Sequence, residues 1–87
     1  MTRHEKTLAR VLSGTCDVAI GFDELCELLR RFGFQERVRG SHRIFTRGDI
    51  AEILNLQPRN NQAKPYQVKQ VRQVILKYQL GSNPNAE

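Results

Sequence analysis

The 87-residue sequence has no tryptophan, two cysteines, three prolines and no long uninterrupted apolar run. Two cysteines, Cys16 and Cys26, cannot form the dense disulfide framework that holds small secreted domains together. No signal peptide is evident, and no segment approaches the length needed to cross a bilayer. The expected compartment is therefore the cytoplasm, with no membrane partner. The absence of tryptophan, with only four phenylalanines and two tyrosines, leaves the core to aliphatic side chains. No glycine-rich nucleotide loop is present. The soft ligands Cys16, Cys26, His4 and His42 lack the paired spacing of a structural zinc site, so no metal or cofactor is expected.

What the chain has is positive charge. Fourteen Lys and Arg oppose nine Asp and Glu, a formal charge of +5. Such a surface attracts polyanions, because neutralising phosphates releases counterions. Nucleic acid is the first partner to consider, ahead of an acidic protein or a membrane surface. Hydrophobic residues make up 39% and charged residues 26%, a balance that favours folding over disorder. The length predicts a single domain over residues 1–87 with one small core.

Apolar spacing divides the chain. Thr2 and Glu5 have capping-box spacing, and Leu8, Val11 and Leu12 share one side of a helix over residues 2–12. This segment reads equally as a frayed terminus or a docking surface. Phe22, Leu25, Cys26, Leu28, Leu29 and Phe32 mark a second helix. Asp23 and Glu24 in its first turn and Arg30 and Arg31 in its last complement the helix dipole. Gly33 followed by Phe34 suits a left-handed cap with a hydrophobic clasp, and Cys26 on the apolar stripe reads as a small buried hydrophobe.

Three short strands are predicted at 34–39, 42–46 and 52–57, with turns at Gly40-Ser41 and Arg47-Gly48-Asp49. Residues 58–64 read as a polar loop. Pro65 then opens a last helix ending near Leu80, with Val68, Val71, Ile75 and Tyr78 as its seam. The predicted architecture is α+β. It is a two-layer α-β-β-β-α core over residues 22–80, with an additional N-terminal helix and a polar tail at 81–87. Double-stranded RNA-binding domains share that element order, which does not by itself fix function.

Two groups of residues can carry chemistry. In Gly40-Ser41-His42-Arg43, a histidine follows a turn among Arg37, Arg39, Arg43 and Arg47. Imidazole exchanges protons near neutrality, and the arginines would hold a phosphodiester. RNA supplies its own nucleophile, the 2′-hydroxyl, so cleavage needs only proton transfer and charge stabilisation. A lone histidine at a turn is also an ordinary surface residue, and its spacing alone favours that simpler reading. The second group is Gln57-Pro58 with Lys64-Pro65-Tyr66-Gln67. A helix N-terminus can accept a phosphate, with Lys64 adding charge, and Tyr66 can stack on a base or simply cap the core.

The stretch 22–80 resembles the HicA-type toxins of bacterial toxin–antitoxin pairs. The resemblance rests on an ordered set: Leu28-Leu29-Arg30-Arg31-Phe32-Gly33-Phe34, Gly40-Ser41-His42-Arg43-Ile44-Phe45, Leu54-Asn55-Leu56-Gln57-Pro58, and Ala63-Lys64-Pro65-Tyr66-Gln67-Val68-Lys69-Gln70-Val71-Arg72. It implies a fold like a double-stranded RNA-binding domain and a metal-independent ribonuclease that cleaves messenger RNA and arrests translation. It also implies a silencing antitoxin of the HicB type. The family's histidine after the glycine turn falls on His42. Many members carry a second histidine next, where this chain has Arg43.

The resulting expectation is an endoribonuclease with His42 as general acid and base. Arg39, Ser41, Arg43, Lys64 and Tyr66 are its expected RNA or phosphate contacts. The competing expectations are a basic module that binds RNA without cutting it, and a protein-interaction domain whose basic face serves an acidic partner.

Overall fold

In a computed structural model of the chain, residues 3–81 are described. Helix α1 (Arg3–Ser13) leads through a single 3-10 turn (Asp17–Ala19) to α2 (Phe22–Arg31). Strands β1 (Gln35–Arg39), β2 (His42–Arg47) and β3 (Ile50–Leu56) follow. A short hairpin of β4 (Pro58–Arg59) and β5 (Gln62–Ala63) precedes α3 (Pro65–Tyr78). The three longer strands form an antiparallel sheet in the order β1-β2-β3. This is the predicted α+β fold, a double-stranded-RNA-binding-domain-like α-β-β-β-α core with an N-terminal helix.

Burial alternates along the strands, as it must when one face of a sheet is covered and the other is open. Phe45, Leu54 and Leu56 are fully buried, with Leu25, Leu29, Val68, Val71 and Ile75 in the same core. Burying a side chain such as Phe45 contributes about 1.5–3 kcal/mol. The sequence leaves Ile44 and Phe45 competing for the interior, and Phe45 takes it. Register then sends every second residue the other way. His42, Ile44 and Thr46 lie on the open face, paired across β1 with Arg39, Arg37 and Gln35.

Several expectations are met in detail and others are corrected. Gly33 has φ +88° in the expected left-handed cap, and the Phe34 amide donates to the Leu29 carbonyl at 3.1 Å. Phe34 itself anchors in the core before β1 begins at Gln35. The third strand starts earlier than expected, at Ile50, because Ile50 also reaches the core. The segment read as a loop at 58–64 is instead the β4-β5 hairpin. Its turn residues Asn60 and Asn61 have φ 53° and 65°, which suits a primed hairpin turn. The last helix ends at Tyr78 with a left-handed cap at Gln79, short of the expected Leu80.

Helix α1 is an integral part of the core rather than a frayed end. Val11 is fully buried, Arg10 Nη2 donates to the Ala19 carbonyl at 2.6 Å, and Arg72 of α3 donates to the Val11 carbonyl at 3.2 Å. The expected capping pair includes Thr2, which lies outside the described residues. Cys26 is the buried hydrophobe its position suggests, and burial pushes its thiol pKa up to about 11.

Candidate functional site

The open face of the sheet gathers the basic and polar residues. β1 is an edge strand, and charged side chains there discourage strand-to-strand association. Its Arg37 and Arg39 are exposed and, among the described residues, have no acidic partner. Gly40, with φ +60°, takes the first position of the β1-β2 turn, where a left-handed residue matches the twist of the strands. The turn brings Arg39 directly opposite His42. His42 Nδ1 lies 2.8 Å from Asn55 Oδ1 on β3, so Nδ1 is the donor of that hydrogen bond. Asn55 pairs with Ile44, which puts it diagonally across from His42 and within side-chain reach on the same face.

A second polar chain runs past the turn. Lys64 Nζ donates to Gln57 Oε1 at 3.1 Å, and Gln57 Nε2 donates to Ser41 Oγ at 3.0 Å. The structure thus joins Ser41, beside His42, to Lys64, which precedes α3. Tyr66 is in the first turn of α3 with its ring exposed, and it is no part of the core. Gln67, next to it, is buried. Its Oε1 accepts from the Gln57 amide at 3.3 Å and its Nε2 faces the Asn55 carbonyl at 3.5 Å. One buried amide therefore fixes the end of β3 that carries Asn55 and Gln57.

Arg43 is placed differently from His42. Adjacent residues of a strand point to opposite faces, and Arg43 turns toward the helices. Its Nη1 lies 2.8 Å from Glu36 Oε2, and its guanidinium sits 5.8 Å from the centre of the Phe22 ring. Glu36 is also gripped by Arg30 at 2.8 and 3.0 Å. Arg30 first, and then Arg43, hold the Glu36 carboxyl down at about 2. Arg43 thus ties β2 to α2 and leaves the open face to His42. Arg43 also lines a cleft of about 230 Å³ together with Ser41, Pro58 and Asn61. That volume is below the roughly 300–1,000 Å³ typical of small-ligand pockets.

Among the described residues, no three His, Cys, Asp or Glu side chains come together as a metal-binding group. Cys16 lies in the α1–α2 connection. A hydrogen bond from Thr15 is the main cause lowering its thiol pKa, and nothing links it to His42.

The family whose pattern the chain matches is described as the HicA toxin of bacterial toxin–antitoxin systems, and the match covers residues 22–78. The chain belongs to the HicA toxin family. No curated protein and no solved structure matches it. This toxin accordingly acts within a toxin–antitoxin system and has an antitoxin partner. The matched span holds the whole sheet and both helices packed on it, and it leaves out α1. No described helix is long and apolar enough to cross a membrane.

The sequence singles out His42, Arg39, Ser41, Arg43, Lys64 and Tyr66, and places Gln67 beside them at the start of α3 without a role, but it does not single out Asn55. Asn55 carries a readable signal: it is polar at the outward position of a strand otherwise rich in Ile and Leu. The burial of Gln67 carries no such signal, because its helical position reads as core only once its neighbours are placed.

Proposed function

We propose that this toxin is an endoribonuclease that cleaves messenger RNA in the cytoplasm and so arrests translation, with His42 as the proton-transfer group. The observation that supports it most is the setting of His42. The ring is tethered at 2.8 Å on an open sheet face beside Arg37 and Arg39. In this reading His42 takes the proton of the 2′-hydroxyl while the 2′-oxygen bonds to the adjacent phosphorus. The bond from phosphorus to the 5′-oxygen breaks, and the leaving oxygen gains a proton from the imidazolium or from water. The products are a 2′,3′-cyclic phosphate and a 5′-hydroxyl. No step needs a metal ion, because the nucleophile belongs to the RNA and the arginines supply the counter-charge.

Arg39 is the closest cation to His42 across the ladder and is the first candidate for the scissile phosphate. Ser41 and Lys64 lie along the adjoining polar chain and suit the next phosphate, while the exposed Tyr66 ring offers a base a stacking surface. Arg43, held by Glu36 on the helix side, supports β2 from behind rather than meeting the RNA on the open face. The antitoxin is of the HicB type and covers the open face, which also carries the exposed Ile53 of β3.

The decisive measurement is cleavage of an RNA strand by the wild type and by His42→Ala, each with chelator present. Loss of the general acid–base group is expected to slow cleavage about 10²–10⁴-fold, with chelator leaving the wild type unaffected. Equal cleavage by both proteins would remove His42 from the mechanism. Loss of wild-type activity in chelator would refute the metal-free route. If neither cuts RNA, and reversing Arg37 and Arg39 abolishes both binding and toxicity, the domain is a binding module.

A further inference from the structure

An imidazole can serve as a base only through the nitrogen that lacks a proton, so whatever fixes the tautomer fixes which atom reacts. Asn55 Oδ1 lies 2.8 Å from His42 Nδ1 and can only accept, which puts the proton on Nδ1 and leaves Nε2 as the basic nitrogen. The same bond survives when Nε2 takes a proton, because Nδ1 keeps its hydrogen in both states. An amide NH2 in that place would face a second donor as soon as the ring became charged. The acceptor is also uncharged. A carboxylate would orient the ring equally well, but it would put negative charge where an RNA phosphate has to sit.

The acceptor is held by its surroundings as well as by its own side chain. Gln67, 2% exposed, bonds the backbone on both sides of Leu56, at the Asn55 carbonyl and the Gln57 amide. The helix–sheet core thereby sets the height at which Asn55 meets His42.

We propose that Asn55 is the positioning residue of the site. It holds His42 in the Nδ1–H tautomer and stabilises the imidazolium that forms during turnover, and this rests on the reading of His42 as the proton-transfer group. Asn55 touches neither the phosphate nor the 2′-hydroxyl in this scheme, so its loss should lower kcat and spare KM.

The test uses the full 87-residue chain, labelled with ¹⁵N for detection of the His42 ring nitrogens, together with Asn55→Ala and Asn55→Asp. Neutral wild-type His42 is expected to carry its proton on Nδ1, and Asn55→Ala to lose that bias. The kcat of Asn55→Ala should fall about tenfold to a hundredfold, a part of the roughly 10²–10⁴-fold that a positioned acid–base group supplies. Its KM should stay within about twofold of wild type, since ground-state binding is untouched. Asn55→Asp should restore the tautomer, because its carboxylate oxygen also accepts from Nδ1–H. Asn55 is exposed, and matching circular dichroism and melting curves would establish that the variants fold.

A wild-type proton on Nε2, or an Asn55→Ala variant with unchanged kcat, would overturn the proposal while leaving His42 as catalyst. Full activity of His42→Ala would instead remove the catalytic reading, and the proposal with it. The tautomer measurement separates the two failures.

Discussion

Gln67 shows how one side chain can belong to the core and serve the surface at once. It sits on the buried face of α3 among Val68, Val71 and Ile75, yet it is polar. Burying a polar group is tolerated when its hydrogen bonds are met, and here it meets the backbone at the end of β3. Replacing it by leucine would keep the volume and remove the acceptor of the Gln57 amide. Leaving a buried donor unpaired costs about 1–3 kcal/mol. In a domain of this size each kcal/mol lowers Tm by about 4–8 °C. Gln67→Leu should therefore melt well below wild type by circular dichroism and also lose cleavage activity, because the strand end bearing Asn55 and Gln57 is released. An unchanged melting temperature would mean that the two bonds contribute nothing. His42 and Arg43 make the complementary point. They are neighbours in sequence, but the pleat sends one to the open face and the other to Glu36. Exchanging Arg43 for a histidine would thus not place a second imidazole beside the first.

Among the elements, the β4-β5 hairpin departs furthest from what the sequence suggests. It carries Lys64 toward Gln57 and closes against the start of α2, where the Phe22 amide donates to the Asn61 carbonyl at 3.1 Å. Its two turn asparagines hold left-handed conformations that β-branched residues tolerate poorly. Asn61→Val should destabilise the protein by about 1–2 kcal/mol, the cost of a left-handed conformation at a residue with a branched Cβ. Asn61→Gly should be neutral or stabilising. Urea titrations of the two variants would show the contrast, and equal midpoints would count against the strained turn. The same segment marks the limit of the sequence reading. The helices and the three longer strands were legible because Leu25, Leu29, Phe45, Leu54 and Val71 repeat with the period of their element. A two-residue strand has no period to show, and Asn-Asn is a weaker turn signal than Asn-Gly. The site was legible in part, for the same reason. His42 stands out after a glycine turn. Its meeting with Asn55, 13 positions away, depends on the β2-β3 register, which Phe45 decides by burying where Ile44 does not.

Taken as a whole, the molecule separates its charges by face. The open side of the sheet presents Arg37 and Arg39 without acidic partners among the described residues, whereas Glu36, Asp17 and Glu52 are engaged on the helix side by Arg30 and Arg43, Arg72, and Lys77. Arg37 and Arg39 thus present unpaired positive charge on a face that a polyanion can reach. The arrangement also makes the fold dependent on its carboxylates being ionised. Glu36 has its pKa depressed to about 2 by Arg30 first and Arg43 second, against 4.5 for an ordinary glutamate. A carboxyl depressed on folding contributes stability that is fully present above its unfolded value and is lost as pH falls toward its folded one. The window for Glu36 therefore runs from about pH 4.5 down to about pH 2. Glu52, lowered chiefly by its hydrogen bond from Lys77, acts in the same direction. Solvent reaches the Arg30–Glu36–Arg43 cluster, so its worth is discounted to the order of 1 kcal/mol. Glu36→Gln should accordingly lose about that amount at neutral pH, with hydrogen bonds to a neutral amide replacing charge-assisted ones. Its stability should then decline less steeply than wild type between about pH 5 and pH 2, with a residual slope left by Glu52 and the other carboxylates. Urea unfolding at a series of pH values would give both curves. If they ran parallel through that window, the charge of Glu36 would not be what joins β1 and β2 to α2, and the link would rest on packing of Arg43 over Phe22 alone.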